Sequence, residues 1–316
     1  MKKPTTVLSG MQPTGPLHIG NYLGALQNMV NLQNDPQYQA IFFIADYHSI
    51  TENYDPTVKR QQIFDLACDY LAAGLDPDKS ILLIQSQVPT CTELAWIFNT
   101  LTPMAELERM TQYKDKAENQ SKNINVGLFD YPVLQAADIL LYHSELVPVG
   151  RDQVQHLELT RDIARWFNNK YDTQYFAEVK PLLTPMAKVM SLMDPTKKMS
   201  KSAGDRHWIG INEDESSISE KIARALTNKD GVENLRDIYQ SFETSMTGEF
   251  DPMNMAGTKK IIAKGIADYF APFRAKRAEL AANPDQVWAA FESGRVKAQE
   301  MAEKTIGEVR EIVGLR

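Results

Sequence analysis

Cysteine is nearly absent: Cys68 and Cys91 are the only two in 316 residues. Neither a disulfide framework nor a cysteine-rich zinc or iron–sulfur site can be built from two, so both read as plain thiols, Cys68 on an apolar helical pattern and Cys91 in a Pro-Thr-Cys-Thr loop. Long apolar runs are missing as well. None approaches the roughly 20 residues of a membrane span, and Met1-Lys2-Lys3-Pro4 leads into one short strand-like run rather than a signal-peptide core. The chain therefore reads as cytoplasmic, with no membrane partner. A basic excess is also lacking: the formal net charge of −7 argues against a non-specific coat on nucleic acid. It leaves room for an RNA that docks on local basic patches. No internal repeat and no low-complexity tract occurs, and no metal site of the protein's own is expected.

What is present is an ordinary globular composition, 43% hydrophobic, in a length that suggests about two domains. The first two thirds alternate short apolar strands with amphipathic helices. Thr5-Thr6-Val7-Leu8-Ser9, Ala40-Ile41-Phe42-Phe43-Ile44-Ala45, Ile81-Leu82-Leu83-Ile84 and Leu146-Val147-Pro148-Val149 are strand-like. Unbroken apolar strands separated by helices predict a parallel sheet covered on both faces. Asp55-Pro56 is an N-cap followed by a first-turn proline, opening a helix that runs to Gly74. The segment from Glu93 towards Lys116 has helical period, and its large apolar face is either core or a dimer interface. Beyond residue 205 no strand is read: Ser217-x-x-Glu220 is a capping box, Asn283-Pro284 opens another helix, and the tail to Leu315 is helical in period. The expectation is an α/β Rossmann-type catalytic domain over 1–204 and an all-helical domain over 205–316.

Two stretches carry phosphate chemistry. Lys198-Met199-Ser200-Lys201-Ser202 places lysines and small hydroxyls on a glycine-closed loop, a donor set suited to a polyphosphate. Near the N-terminus, Gly10-Met11-Gln12-Pro13-Thr14-Gly15-Pro16-Leu17-His18-Ile19-Gly20-Asn21 joins a strand to a helix. There, unpaired backbone N–H groups and the helix dipole favour an anion, and His18 and Asn21 add side-chain donors. Lys116, in a charged loop, is a further candidate to face phosphates.

A third block concerns an organic ligand. In Tyr131-Pro132-Val133-Leu134-Gln135-Ala136-Ala137-Asp138 a phenol, an amide and a carboxylate stand at i, i+4 and i+7 and share one helix face. A buried carboxylate there needs a donor, supplied either by the fold or by a ligand N–H or O–H. Polar groups also follow two strands: Asp46-Tyr47-His48 after one, and Gly150-Arg151-Asp152-Gln153 after the other, where Asp152 is suited to ribose hydroxyls and Gly150 to a flat ligand.

The first motif and the lysine loop resemble the HIGH and KMSKS signatures of class I aminoacyl-tRNA synthetases, here His18-Ile19-Gly20-Asn21 and Lys198 to Ser202. Ser9-Gly10-x-Gln12-Pro13-x-Gly15, Tyr131 to Tyr142, Val147-Pro148-Val149-Gly150-x-Asp152-Gln153 and Met190 to Ser202 resemble the bacterial and mitochondrial tryptophanyl branch over nearly the whole chain. The resemblance implies a homodimer that couples L-tryptophan and ATP, with Mg²⁺ travelling on the ATP, and charges tRNA(Trp), using the helical domain to recognise the anticodon. It implies ATP contacts at Gln12, Pro13, Thr14, His18, Gly20, Asn21, Gly150, Arg151, Asp152, Val189, Lys198, Met199, Ser200, Lys201 and Ser202. Lys198, Ser200, Lys201 and Ser202 would grip the departing pyrophosphate, and Lys198, Ser200, Lys201, His18 and Asn21 are the catalytic residues it implies. Asp138, Tyr131, Gln135, Gln153 and His48 would hold the amino acid, Asp138 accepting the indole N–H. Arg151 stands where an acidic residue is expected, and Gln135 where methionine is common. A carboxylate at 138 accepts from a phenol O–H as readily as from an indole N–H, so the pocket residues leave tyrosine open while the longer blocks favour tryptophan. A synthetase-like binding protein without tRNA charging is the reading from another class.

Overall fold

A computed structural model describes residues 3–111, 124–150, 154–183 and 189–315. Its centre is a five-stranded parallel sheet in the order β3-β2-β1-β4-β5, built from β1 Thr5–Met11, β2 Tyr38–Ile44, β3 Ile81–Ile84, β4 Leu146–Val149 and β5 Lys180–Leu183. Successive strand side chains enter opposite layers. Val7, Phe42, Ile44, Leu82 and Ile84 join one core, and Leu8, Ile41, Phe43, Leu83 and Ala45 the other. That explains strands with no polar alternation. β5 is absent from the sequence reading; it begins on a lysine, carries a proline, and has no fully buried residue.

Strand order reverses beside β1, which pairs with β2 on one side and β4 on the other. In open parallel sheets a ligand crevice forms beyond the carboxyl ends of the strands at such a point. Here those ends are Met11, Ile44 and Val149.

The helices begin largely where the sequence puts them. Asp55 caps Pro56–Ala72, its carboxylate accepting from Thr57 N at 2.8 Å. Among the described residues no named strand follows Leu183, and helices fill the chain from Glu215 to Val313. Three local readings are corrected. Cys91 lies inside the helix Thr90–Asn99 and is buried there, not in a loop. The helix Glu215–Arg224 is capped by Asp214, whose carboxylate accepts from Ser217 N at 2.8 Å, so Ser217 is an interior residue and not the cap. Asn283 precedes the helix Pro284–Val313 but makes no capping hydrogen bond with its side chain.

That last helix fixes the edge of the sheet. Its early residues Val287 and Phe291 sit in one core layer, and Ala298, Ala302, Ile306 and Val309 in the other. Between them Gly294 lies against β3: a Cβ there would stand 1.9 Å from Leu82 O. Glycine is required by this close approach, and the helix covers an edge strand that would otherwise be open.

Candidate active site

The first motif forms a tight polar turn after β1. His18 is the N-cap of Ile19–Asn21: its Nδ1 accepts from Asn21 N at 3.2 Å, and Asn21 Oδ1 accepts from His18 N at 3.1 Å. Capping and phosphate binding need not compete, because an imidazole whose Nδ1 accepts carries its proton on Nε2 when neutral. Burial, with the nearby charge of Lys201, pulls the His18 pKa down to about 4. The helix then passes through a π turn, Tyr22–Leu26, before Gln27–Gln33.

The lysine loop meets this motif. Lys201 Nζ donates to Thr14 O at 3.0 Å and lies 3.4 Å from Thr14 Oγ1. A Cβ on Gly20 would come within 3.7 Å of Val189 Cβ, so the first motif also touches the segment leading into the loop. The start of the loop is fixed by backbone. Ser191 N donates to Lys197 O at 2.9 Å and Met199 N to Val189 O at 3.0 Å. Past the loop, Ile19 N donates to Ile209 O and Ile211 N to Leu17 O, each at 3.0 Å. His18 and Lys201, 183 positions apart in the numbering, thus belong to one site. Burial lowers the Lys201 pKa against the pull of Asp69.

Beside the motif opens a cleft of about 350 Å³ at the strand ends. Ser9, Gly10, Gln12, His48, Tyr131, Gln135, Asp138, Pro148 and Gly150 are among its lining residues. The helix Val126–Leu141 delivers Tyr131, Gln135 and Asp138 together, as their spacing predicts. Asp138 is 3% exposed, with His48 Nε2 2.9 Å from its Oδ2. The Tyr131 hydroxyl lies 2.9 Å from His156 Nε2. Val189 and Lys198 to Ser202 do not line this cleft; of them, Val189 lies by Gly20 and Lys201 by Thr14, while Ser200 and Ser202 pair with each other at 2.9 Å. Arg151, Asp152, Gln153 and Lys116 lie outside the described residues.

Two site residues escape sequence reasoning. Gln85, the residue after β3, donates from Nε2 to both Asp138 oxygens at 3.0 and 2.8 Å. Its position past a buried parallel strand was the available signal. His156, on the helix Val154–Lys170, carries no signal beyond its helical position.

A family model described as "tRNA synthetases class I (W and Y)" matches residues 1–311. The chain belongs to that family. Tryptophan–tRNA ligase of Wolinella succinogenes is 41% identical over 325 residues, covering 98% of each chain. The tryptophanyl-tRNA synthetase of Campylobacter jejuni, solved with ADP and tryptophan, superposes on this synthetase with a TM-score of 0.86 at 34% identity, over 98% of this chain and 100% of that one. A tyrosyl-tRNA synthetase from Archaeoglobus fulgidus, at 18% identity and a TM-score of 0.68 over 87% of this chain and 91% of its own, shares the fold.

Proposed function

We infer that this synthetase is a tryptophan–tRNA ligase: it activates L-tryptophan with ATP to tryptophanyl-adenylate and passes the aminoacyl group to tRNA(Trp). The observation that carries the reading is a buried carboxylate, Asp138, facing a cleft lined also by Gln12 of the first motif, the motif that Lys201 meets at Thr14. The near full-length likeness to tryptophan–tRNA ligases favours indole over phenol as its partner.

Adenylate formation is an in-line attack of the tryptophan carboxylate on the α-phosphorus, with pyrophosphate leaving. Such a step needs placement and charge neutralisation more than a protein nucleophile. Gln12, Pro13, Thr14, Gly20 and Asn21 receive the nucleotide, with Gly150, Arg151, Asp152 and Val189 around its nucleoside. Neutral His18 donates from Nε2 to a phosphate oxygen. Lys198, Ser200, Lys201 and Ser202, with the backbone of Met199, hold the pyrophosphate as charge builds on it. Asp138 accepts the indole N–H, an obligate donor, while Tyr131, Gln135, Gln153 and His48 enclose the amino acid. Mg²⁺ arriving with the ATP would add charge neutralisation on the phosphates.

Residues 205–316 are assigned to anticodon recognition and 1–204 to catalysis. The exposed Trp96, Met104 and Val126, on neighbouring helices, offer an apolar face for a second copy of the chain. The cytoplasm is the place assigned; among the described residues no helix is long and apolar enough to cross a membrane.

The deciding experiment is amino-acid-dependent ATP–pyrophosphate exchange with tryptophan and tyrosine side by side. Exchange with tryptophan alone is expected. Tyrosine dependence would overturn the substrate, and no exchange with either would favour a binding protein.

A further inference from the structure

Asp138 is held from behind. Gln85 is 3% exposed, does not line the cleft, and reaches both carboxylate oxygens with one amide nitrogen. Its own orientation is set twice. Gln85 Oε1 accepts from His48 N at 3.4 Å, which leaves the NH₂ end to face Asp138. The turn that carries it is pinned by Asp46, which accepts from Ser86 N at 2.9 Å and Ser86 Oγ at 2.5 Å.

We propose that Gln85 is a positioning residue for amino-acid selection. Its amide fixes the Asp138 carboxylate so that the remaining lone pairs face the cleft and receive the ligand's N–H. The inference rests on the reading that Asp138 takes the indole proton. A lysine or arginine at 85 would also reach Asp138, but as a cation it would form an ion pair and draw the carboxylate away from a neutral donor. A neutral amide fixes geometry and leaves the acceptor charge to the ligand. His48 Nε2 completes the bracket on Oδ2 at 2.9 Å, so rotation of Asp138 disturbs its contacts with both neighbours at once.

The titratable groups facing Asp138 are His48 after β2, Cys91 on the helix Thr90–Asn99, and Tyr142 just past its own helix; Asp46 in turn faces Cys91. Burial, and then the charge of Asp138, push the Cys91 thiol and the Tyr142 phenol well above their usual ranges. Both stay neutral through the working pH range.

The test is steady-state ATP–pyrophosphate exchange across about pH 6 to 9 for the wild type, Gln85→Met and Gln85→Glu. Gln85→Met keeps length and removes the donor; its KM for tryptophan should rise about tenfold or more, with the KM for ATP within about twofold. Gln85→Glu brings a second carboxyl against Asp138, and such a pair shares one proton whose pKa is strongly raised. At the acid end the retained proton replaces the amide donor, so the KM for tryptophan stays near wild type. As pH rises the proton leaves, the like charges separate, and that KM climbs while the wild-type value stays flat. A merely structural role would not give a pH-dependent rescue confined to tryptophan. If the wild type shows no tryptophan-dependent exchange, the functional reading fails first. If it does, an unchanged tryptophan KM in Gln85→Met, or equal and pH-independent losses for both substrates in Gln85→Glu, overturns the positioning role. Should Gln85→Met not fold, the Gln85→Glu profile decides alone.

Discussion

Replacing Asp138 by alanine tests the cleft most directly. The side chain is buried and surrounded by donors, with three contacts from Gln85 and His48 at 2.8 to 3.0 Å. A bound indole N–H that loses a charged acceptor forfeits about 1.5–3 kcal/mol, and every 1.4 kcal/mol is tenfold. The kcat/KM for tryptophan should therefore fall by about 10- to 150-fold, while the KM for ATP holds. Asp138→Asn should fall in the same range despite keeping the shape. Its amide can present oxygen to Gln85 or to the ligand, but an NH₂ group must then face the other donor. Pyrophosphate exchange at varied tryptophan and saturating ATP reads this. Unchanged tryptophan kinetics, or an equal loss for ATP, would remove Asp138 from the amino-acid pocket and refute the reasoning.

Lys201→Ala should lower the single-turnover rate of adenylate formation by about 100-fold with little change in tryptophan affinity; a pure affinity effect would take Lys201 out of the transition state. His18 gives a pH signature for stability. Its folded pKa, about 4, lies below the unfolded value near 6.5, so the fold favours the neutral ring. The stabilisation is complete above about pH 6.5 and is lost as pH falls towards 4, by roughly 3 kcal/mol. Urea unfolding at several pH values should show that slope in the wild type and a shallower one in His18→Gln; parallel slopes would contradict it. Gly294→Ala forces a methyl against the Leu82 backbone, 1.9 Å from its carbonyl oxygen. A loss of about 3 kcal/mol is expected in chemical denaturation, and an unaltered midpoint would mean that the last helix packs elsewhere.

Legibility in the sequence followed the range over which each signal acts. Helical spacing alone put Tyr131, Gln135 and Asp138 on one face, because i, i+4 and i+7 is a property of the backbone. The other four strands were legible because their runs are mainly apolar, with little polar alternation to confuse them. β5 was not, since an edge strand with Lys180 and Pro181 and no fully buried residue has little of that character. Gln85 stayed hidden because its partner Asp138 is 53 positions away and no local period links them. The return of the last helix across β3 was equally illegible. Its period reveals an apolar face, not what that face covers, and only Gly294 marks the close approach. The capping error at Ser217 came from a match at the right spacing three residues late, with Asp214 the better-placed acceptor.

The backbone pairing that frames the lysine loop limits what its ammonium groups can do. Met199, whose N–H is tied to Val189, lies two residues before Lys201. Two residues of extended chain reach roughly 7 Å. With that pairing intact Lys201 is a short-leashed contact, its backbone held within that reach of Met199 and its ammonium resting on Thr14 O rather than free to range over the surface.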